Sequence, residues 1–191
     1  MIFHARVSRL EPPQVADERE ALEGWLDYFR SQMLLSLDEL TAEELNRGVP
    51  EDGPSLLGVV RHLMDLERTW LVERWGGRGP AGPQAPSYVD EPGARVRSAG
   101  PEDPEALVRS YQWVCELGRD ALAGAESLDD AVRDDRRGHI ELRWILLHLI
   151  TETARYAGTA QALRDVLLAT RERPAPTAAA TGPVVPPPPG L

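Results

Sequence analysis

Lysine is absent from this 191-residue chain: all 21 basic side chains are arginine, against 31 acidic ones, for a net charge of -10. Such a deficit of positive charge argues against nucleic-acid binding, which needs concentrated cations to neutralise phosphates. It argues equally against attachment to an anionic membrane surface. No domain function requires the total loss of lysine, so that absence is read as mutational bias in a GC-rich genome. Cysteine is almost missing too, and a single Cys115 excludes an intrachain disulfide framework and a cysteine-based zinc knuckle. No apolar run approaches the ~20 residues that span a bilayer. The opening segment MIFHARVSRLEPP lacks the apolar stretch of a secretory signal, so a cytoplasmic protein is expected. There is no Gly-rich phosphate loop, no Gly-x-Ser-x-Gly elbow and no dinucleotide fingerprint, which removes the commonest nucleotide-dependent and serine-hydrolase chemistries.

What is present is helical. Asp17 followed by Glu20 forms a capping-box pattern, and Leu22, Trp25, Leu26, Phe29, Met33, Leu37 and Leu40 recur at the spacing of a buried stripe. Thr41 and Glu44 repeat the cap and predict a short helix. A second long helix is expected from Ser55 to Arg74, with Leu56, Val59, Val60, Leu63, Leu66 and Trp70 facing inward. The segment 76–101 is rich in Gly and Pro and reads as one long loop. Asp103-Pro104 restarts a third helix, a charged connector without strand period spans 129–138, and a fourth helix runs to about Ala169. Seven of the 17 prolines fall in the last 18 residues, so the end of the chain should be extended or disordered. The expected organisation is an N-terminal arm over 1–16, an all-α four-helix bundle over 17–170 and a Pro-rich tail over 171–191. The tryptophans at 25, 70, 75, 113 and 144 read mostly as core packing.

Among four histidines, His4 and His139 read as surface residues, whereas His62 and His148 sit inside long apolar helices. His148, Glu152, Tyr156 and Thr159 follow one another at steps of four, four and three, which projects them along one side of the fourth helix. Imidazole and carboxylate on adjacent turns can chelate a divalent ion if a facing helix adds a ligand. The same spacing also arises from core histidines that hydrogen-bond a neighbour, and from simple helix stabilisation. Both readings stand on spacing alone.

The segments EREALEGWLDYFR, SLLGVVRHLMDLERTW and LRWILLHLITETARYAGTAQALRD resemble the DinB-like superfamily, in particular the actinobacterial branch of mini-circle proteins and mycothiol-dependent isomerases and transferases. The resemblance spans roughly Pro12 to Val166. It implies a four-helix bundle, often dimeric as a homodimer or with a related bundle, holding a divalent metal such as zinc, nickel or iron that activates a low-molecular-weight thiol or water. By that resemblance the second-helix ligand falls on His62, and the fourth-helix pair falls on Glu152 and Tyr156. A further histidine of the branch falls on Thr159, and an acidic residue two positions on falls on Gln161. A phenol is a poor ligand because metal binding needs its deprotonation, so loss of the metal is expected. If a metal is kept, its ligands would be His62, His148 and Glu152.

Three functions then compete. The first is a metal-free small-molecule enzyme performing proton-transfer chemistry such as elimination, isomerisation or cyclisation, with His62, His148, Glu152 and Tyr156 catalytic. In that reading Arg143, Arg155, Trp75 and Thr159 bind the substrate. The second is a metal-dependent S-transferase or isomerase using mycothiol or another thiol. The third is a non-catalytic binding, resistance or subunit-stabilising partner.

Overall fold

The computed structural model describes residues 2–5, 7–78, 102–134 and 137–172. Helix α1 (Glu18–Leu35) starts where the Asp17 carboxylate accepts the Glu20 amide proton at 2.8 Å. Its stripe is displaced from the expected one. Leu26, Arg30, Met33 and Leu34 are buried, whereas Trp25 is 43% exposed and packs with Tyr28 and Phe29 as an outer aromatic group. Leu37 and Leu40 reach the core from beyond the helix end, and between them Glu39 takes a left-handed φ of 62°. Helix α2 (Ala42–Asn46) carries the full reciprocal capping box between Thr41 and Glu44.

Helix α3 (Leu56–Glu67) is capped by Ser55, whose Oγ accepts the Gly58 amide. It passes without a break into a π-helical stretch, Arg68–Trp75. The wider π turn is rare and recurs at functional sites. Gly118 of α4 (Pro104–Ala123) lets that stretch pack closely, since a Cβ there would lie 3.0 Å from Leu71 Cδ1. The expected α4 restart is present, with Asp103 as N-cap and Pro104 first in the helix.

The connector expectation is corrected. Strands β1 (Ala131–Asp134) and β2 (Gly138–Glu141) form an antiparallel hairpin that pairs Val132 with Ile140. Each strand is only four residues long, too short to show an alternating period. Its hold on the bundle comes from buried Ile140 and from Asp134, which pairs with Arg74 at 2.7 Å. Helix α5 (Leu142–Glu172) follows directly. The bulk of the Gly/Pro-rich loop, 79–101, and the tail from 173 lie outside the described residues.

The four long helices pack as a bundle, with α1 and α3 against α5 and with α3 and its π extension against α4. Leu57, Leu63, Leu66, Ile145, Leu146 and Leu149 are among the nearly fully buried side chains at its centre. Among the described residues no helix is long and apolar enough to cross a membrane.

Two of the ion pairs that tie distant segments are the most informative. Arg30 of α1 bonds both carboxylate oxygens of Glu67, at 2.7 and 2.6 Å, with Glu67 only 1% exposed. Burial works against charge on Arg30, but Glu67 leads the groups that hold the guanidinium protonated, and its pKa stands well above the ordinary value. Replacing one partner leaves the other charge buried and uncompensated. Glu67→Gln and Arg30→Met should each lower unfolding free energy by about 3–5 kcal/mol, measured by urea denaturation; a loss under ~1 kcal/mol would contradict a desolvated pair.

At the other pair, the Arg171 guanidinium lies 2.5 Å from the Glu44 carboxylate. Arg171, with the Thr41 amide adding to it against the opposing effect of burial, holds Glu44 down from 4.5 to about 2. A depressed carboxylate stabilises the fold above its unfolded pKa and ceases to do so as pH falls through the folded value. Stability of the native chain should therefore drop between pH 4.5 and about 2 more steeply than that of Glu44→Gln, with the two curves converging near the lower value. Parallel curves from denaturation at successive pH values would show that Glu44 contributes nothing to acid sensitivity.

Candidate active site

Helices α3 and α5 run antiparallel, so each turn forward on one meets a turn back on the other. His62, only 2% exposed, lies ring against ring with Tyr156, centroids 4.4 Å apart and planes at 58°. Eight residues further along the α3 side of the seam, and eight back along α5, Trp70 meets His148 edge-on at 5.2 Å. At 1.5 Å per residue these two contacts are ~12 Å apart along the helices. His148 also stacks on Trp144, at 5.0 Å with a 16° interplanar angle, and Trp70 touches Trp144 at 5.2 Å. The seam is therefore closed and buried at its His62–Tyr156 end. It opens at the hairpin end, where Trp144 is 39% exposed.

Charge is distributed along the same line. Glu152, between the two contacts, bonds the Arg155 guanidinium at 2.5 Å, and Arg155 in turn lies 4.1 Å from the Tyr156 ring centre. At the open end, Arg74 stands 4.5 Å from the Trp70 ring centre, and Arg137 stands 5.6 and 5.4 Å from those of Trp70 and Trp144. Burial, partly offset by Glu152, lowers the His148 pKa from its ordinary value. That shift favours the neutral imidazole, the form that can accept a proton. Two buried nitrogens here, Trp70 Nε1 and His148 Nε2, have no hydrogen-bond partner among the described residues. Leaving such a group unsatisfied costs about 1–3 kcal/mol, a cost that a bound acceptor or donor would remove.

The candidate residues thus separate into groups. His62 and Tyr156 are in contact, with Glu152 one turn from Tyr156, and His148 one turn further on joins the tryptophans instead. Thr159 sits past Tyr156 and donates its hydroxyl to the Arg155 carbonyl at 3.1 Å. Trp75 is tied by its indole N–H to the Ala121 carbonyl at 3.3 Å. Arg143 is not brought to the seam, because Glu18 and Asp129 hold its guanidinium at the surface. The reading of tryptophans as mostly core is corrected for Trp25, Trp113 and Trp144, which are 43%, 52% and 39% exposed. Three contributors escaped the sequence reading as site residues. Trp70 and Arg74 are spaced i, i+4 on a helix already recognised, a usable signal. Arg137 lies in the segment read as a connector and gave none.

The donor set does not fit a divalent cation. The phenol of Tyr156 packs its ring on the His62 ring, and His148 stands with Trp70 and Trp144 further toward the hairpin. Among the described residues no three His, Cys, Asp or Glu side chains converge as a metal site. Restoring an imidazole tests this directly. Tyr156→His should raise zinc affinity on the order of tenfold or more by isothermal titration; unchanged affinity would mean that the His62–Tyr156 contact is not the position of a lost ligand.

A family model described as Mycothiol-S-transferase matches residues 21–168, which takes in most of α1, then α3, α4, the hairpin and nearly all of α5. None of the curated proteins compared with the chain matches it.

Proposed function

This chain belongs to the mycothiol-S-transferase family, and we propose that it transfers a low-molecular-weight thiol, mycothiol or a close equivalent, onto a small electrophilic substrate along the α3–α5 seam. Family membership favours thiol transfer over elimination, isomerisation or cyclisation. The single observation that carries the assignment to this seam is the His148 imidazole stacked on part-exposed Trp144 next to the open end, its Nε2 without a partner among the described residues.

Since the donor set does not fit a metal, the proposed proton transfer uses this chain's own groups. The thiol S–H gives its proton to His148, which becomes imidazolium, and Glu152 one turn away stabilises that charge. The thiolate sulfur forms a bond to an electrophilic carbon of the second substrate. The group displaced from that carbon leaves with its bonding electron pair, and the proton on His148 passes to it or to water. A positioned general base contributes typically about 10²- to 10⁴-fold to such a step.

His62 and Tyr156, buried at the closed end, set the spacing of the two helices and the position of Glu152. His148→Gln should lower kcat/KM for thiol consumption by about 10²- to 10⁴-fold with the fold intact by circular dichroism. Mycothiol plus a panel of alkyl and aryl electrophiles, followed by free-thiol titration, provides the assay. Native activity that survives His148→Gln would remove the imidazole from the chemistry. If the native chain conjugates none of the panel, the thiol-transfer reading fails.

A further inference from the structure

At the hairpin end of the seam lies an open concavity of about 500 Å³, lined by Arg137, His139, Ile140, Glu141 and Trp144. Its chemistry departs from the rest of the molecule. The chain carries a net charge of -10, and most described arginines are held by carboxylates. Arg30, Arg61, Arg68, Arg119, Arg143 and Arg171 are examples. Arg137 is different: its backbone N–H donates to the Asp134 carboxylate, but among the described residues no carboxylate is paired with its guanidinium, which lies over two indoles instead. Trp144 presents exposed indole surface to the concavity while His148 stacks on it. Trp70 and His148, both in ring contact with Trp144, carry the two buried nitrogens that have no partner among the described residues.

We infer that this concavity binds the second substrate, and that the substrate class is a planar aromatic or conjugated acid carrying a carboxylate. An aromatic ring matches the exposed part of the Trp144 indole edge-on, since His148 stacks on that ring and the Arg137 guanidinium lies over it. A carboxylate matches the guanidinium fork of Arg137, which offers parallel N–H donors. Of the described acids nearby, Asp134 pairs with Arg74 at 2.7 Å and accepts the Arg137 backbone N–H at 2.8 Å, and Glu141 lies 3.7 Å from Arg143; neither is paired with the Arg137 guanidinium. His148 lies outside that lining but stacks on Trp144, so the proposed thiol base stands one ring away from the acceptor's site. The inference rests on the seam being the reaction site, but binding can be read without any reaction.

The test is direct binding to the full chain without thiol, by calorimetry and tryptophan quenching. Three probes are needed: 2-naphthoate, neutral 2-naphthalenemethanol and the flexible anion octanoate. Naphthoate should bind at least about tenfold more tightly than either of the others. Arg137→Gln should weaken naphthoate about tenfold or more and leave the neutral probe unchanged. Trp144→Ala should weaken both aromatic probes, with Trp144→Phe restoring part of the loss if the alanine variant perturbs the hairpin. Equal binding of all three probes, no saturable binding at millimolar concentration, or no effect of Arg137→Gln would overturn the inference. The thiol reading fails separately: naphthoate binding that follows this pattern, without conjugation of any electrophile, upholds the acid site and sinks thiol transfer. Conjugation that is indifferent to Arg137→Gln does the reverse.

Discussion

The antiparallel register between α3 and α5 decides which side chains of the seam can meet, and the remaining features of the site depend on it. With His62 fixed against Tyr156, helical geometry requires Trp70 to fall opposite His148, nearer the hairpin. A slip of one residue would rotate each contact by ~100° around its helix and disperse the site. The register is held by apolar packing on both sides of the seam, where Leu63 and Leu66 on α3 and Ile145 and Leu149 on α5 are fully buried. Such interiors are close-packed and resist small displacements.

The π-helical stretch after Glu67 extends that register to the hairpin. An uninterrupted α-helix advances ~100° per residue, whereas π turns advance less and shift the outward angle of the side chains beyond them. Trp70 and Arg74 lie in this stretch, one against α5 and the other bonded to the hairpin's Asp134. Its start coincides with the buried Arg30–Glu67 pair, which anchors the last residue of α3 to α1. A desolvated ion pair is rarely a large net source of stability, but it is intolerant of mispairing.

Much of this architecture was legible in the residues. Helix starts at Asp17, Thr41 and Asp103 could be read because capping is local chemistry, and each cap bond is present. The stripe from His148 to Tyr156 was legible because four-residue spacing maps directly onto one helical face. Its partners were not, since contacts between helices depend on register, which no local pattern encodes. The hairpin was missed because four-residue strands rich in charge show no period, and its stability derives from Ile140 and Asp134 docking on the bundle. Trp25 and Trp144 were misplaced for a related reason. A large aromatic reads as core from composition, although tryptophan often keeps one side exposed.

The contact between His62 and Tyr156 bears on how this member of the family does its chemistry. A cation held between two helices fixes their separation through bonds of about 2 Å, whereas a tilted ring pair fixes it through van der Waals contact and tolerates small shifts. The phenol here can therefore supply the spacing function of a ligand without the charge. Acidity must then come from elsewhere in the seam. In the proposed reaction His148 is the base and Arg137, whose guanidinium has no paired acid among the described residues, supplies the cation at the open end. That proposal displaces the reactive position toward the hairpin, by the ~12 Å that separates the two α3–α5 contacts. A site in that place is shaped by Trp144 and the hairpin, so acceptor selectivity should vary with those residues while the His62–Tyr156 contact stays the same.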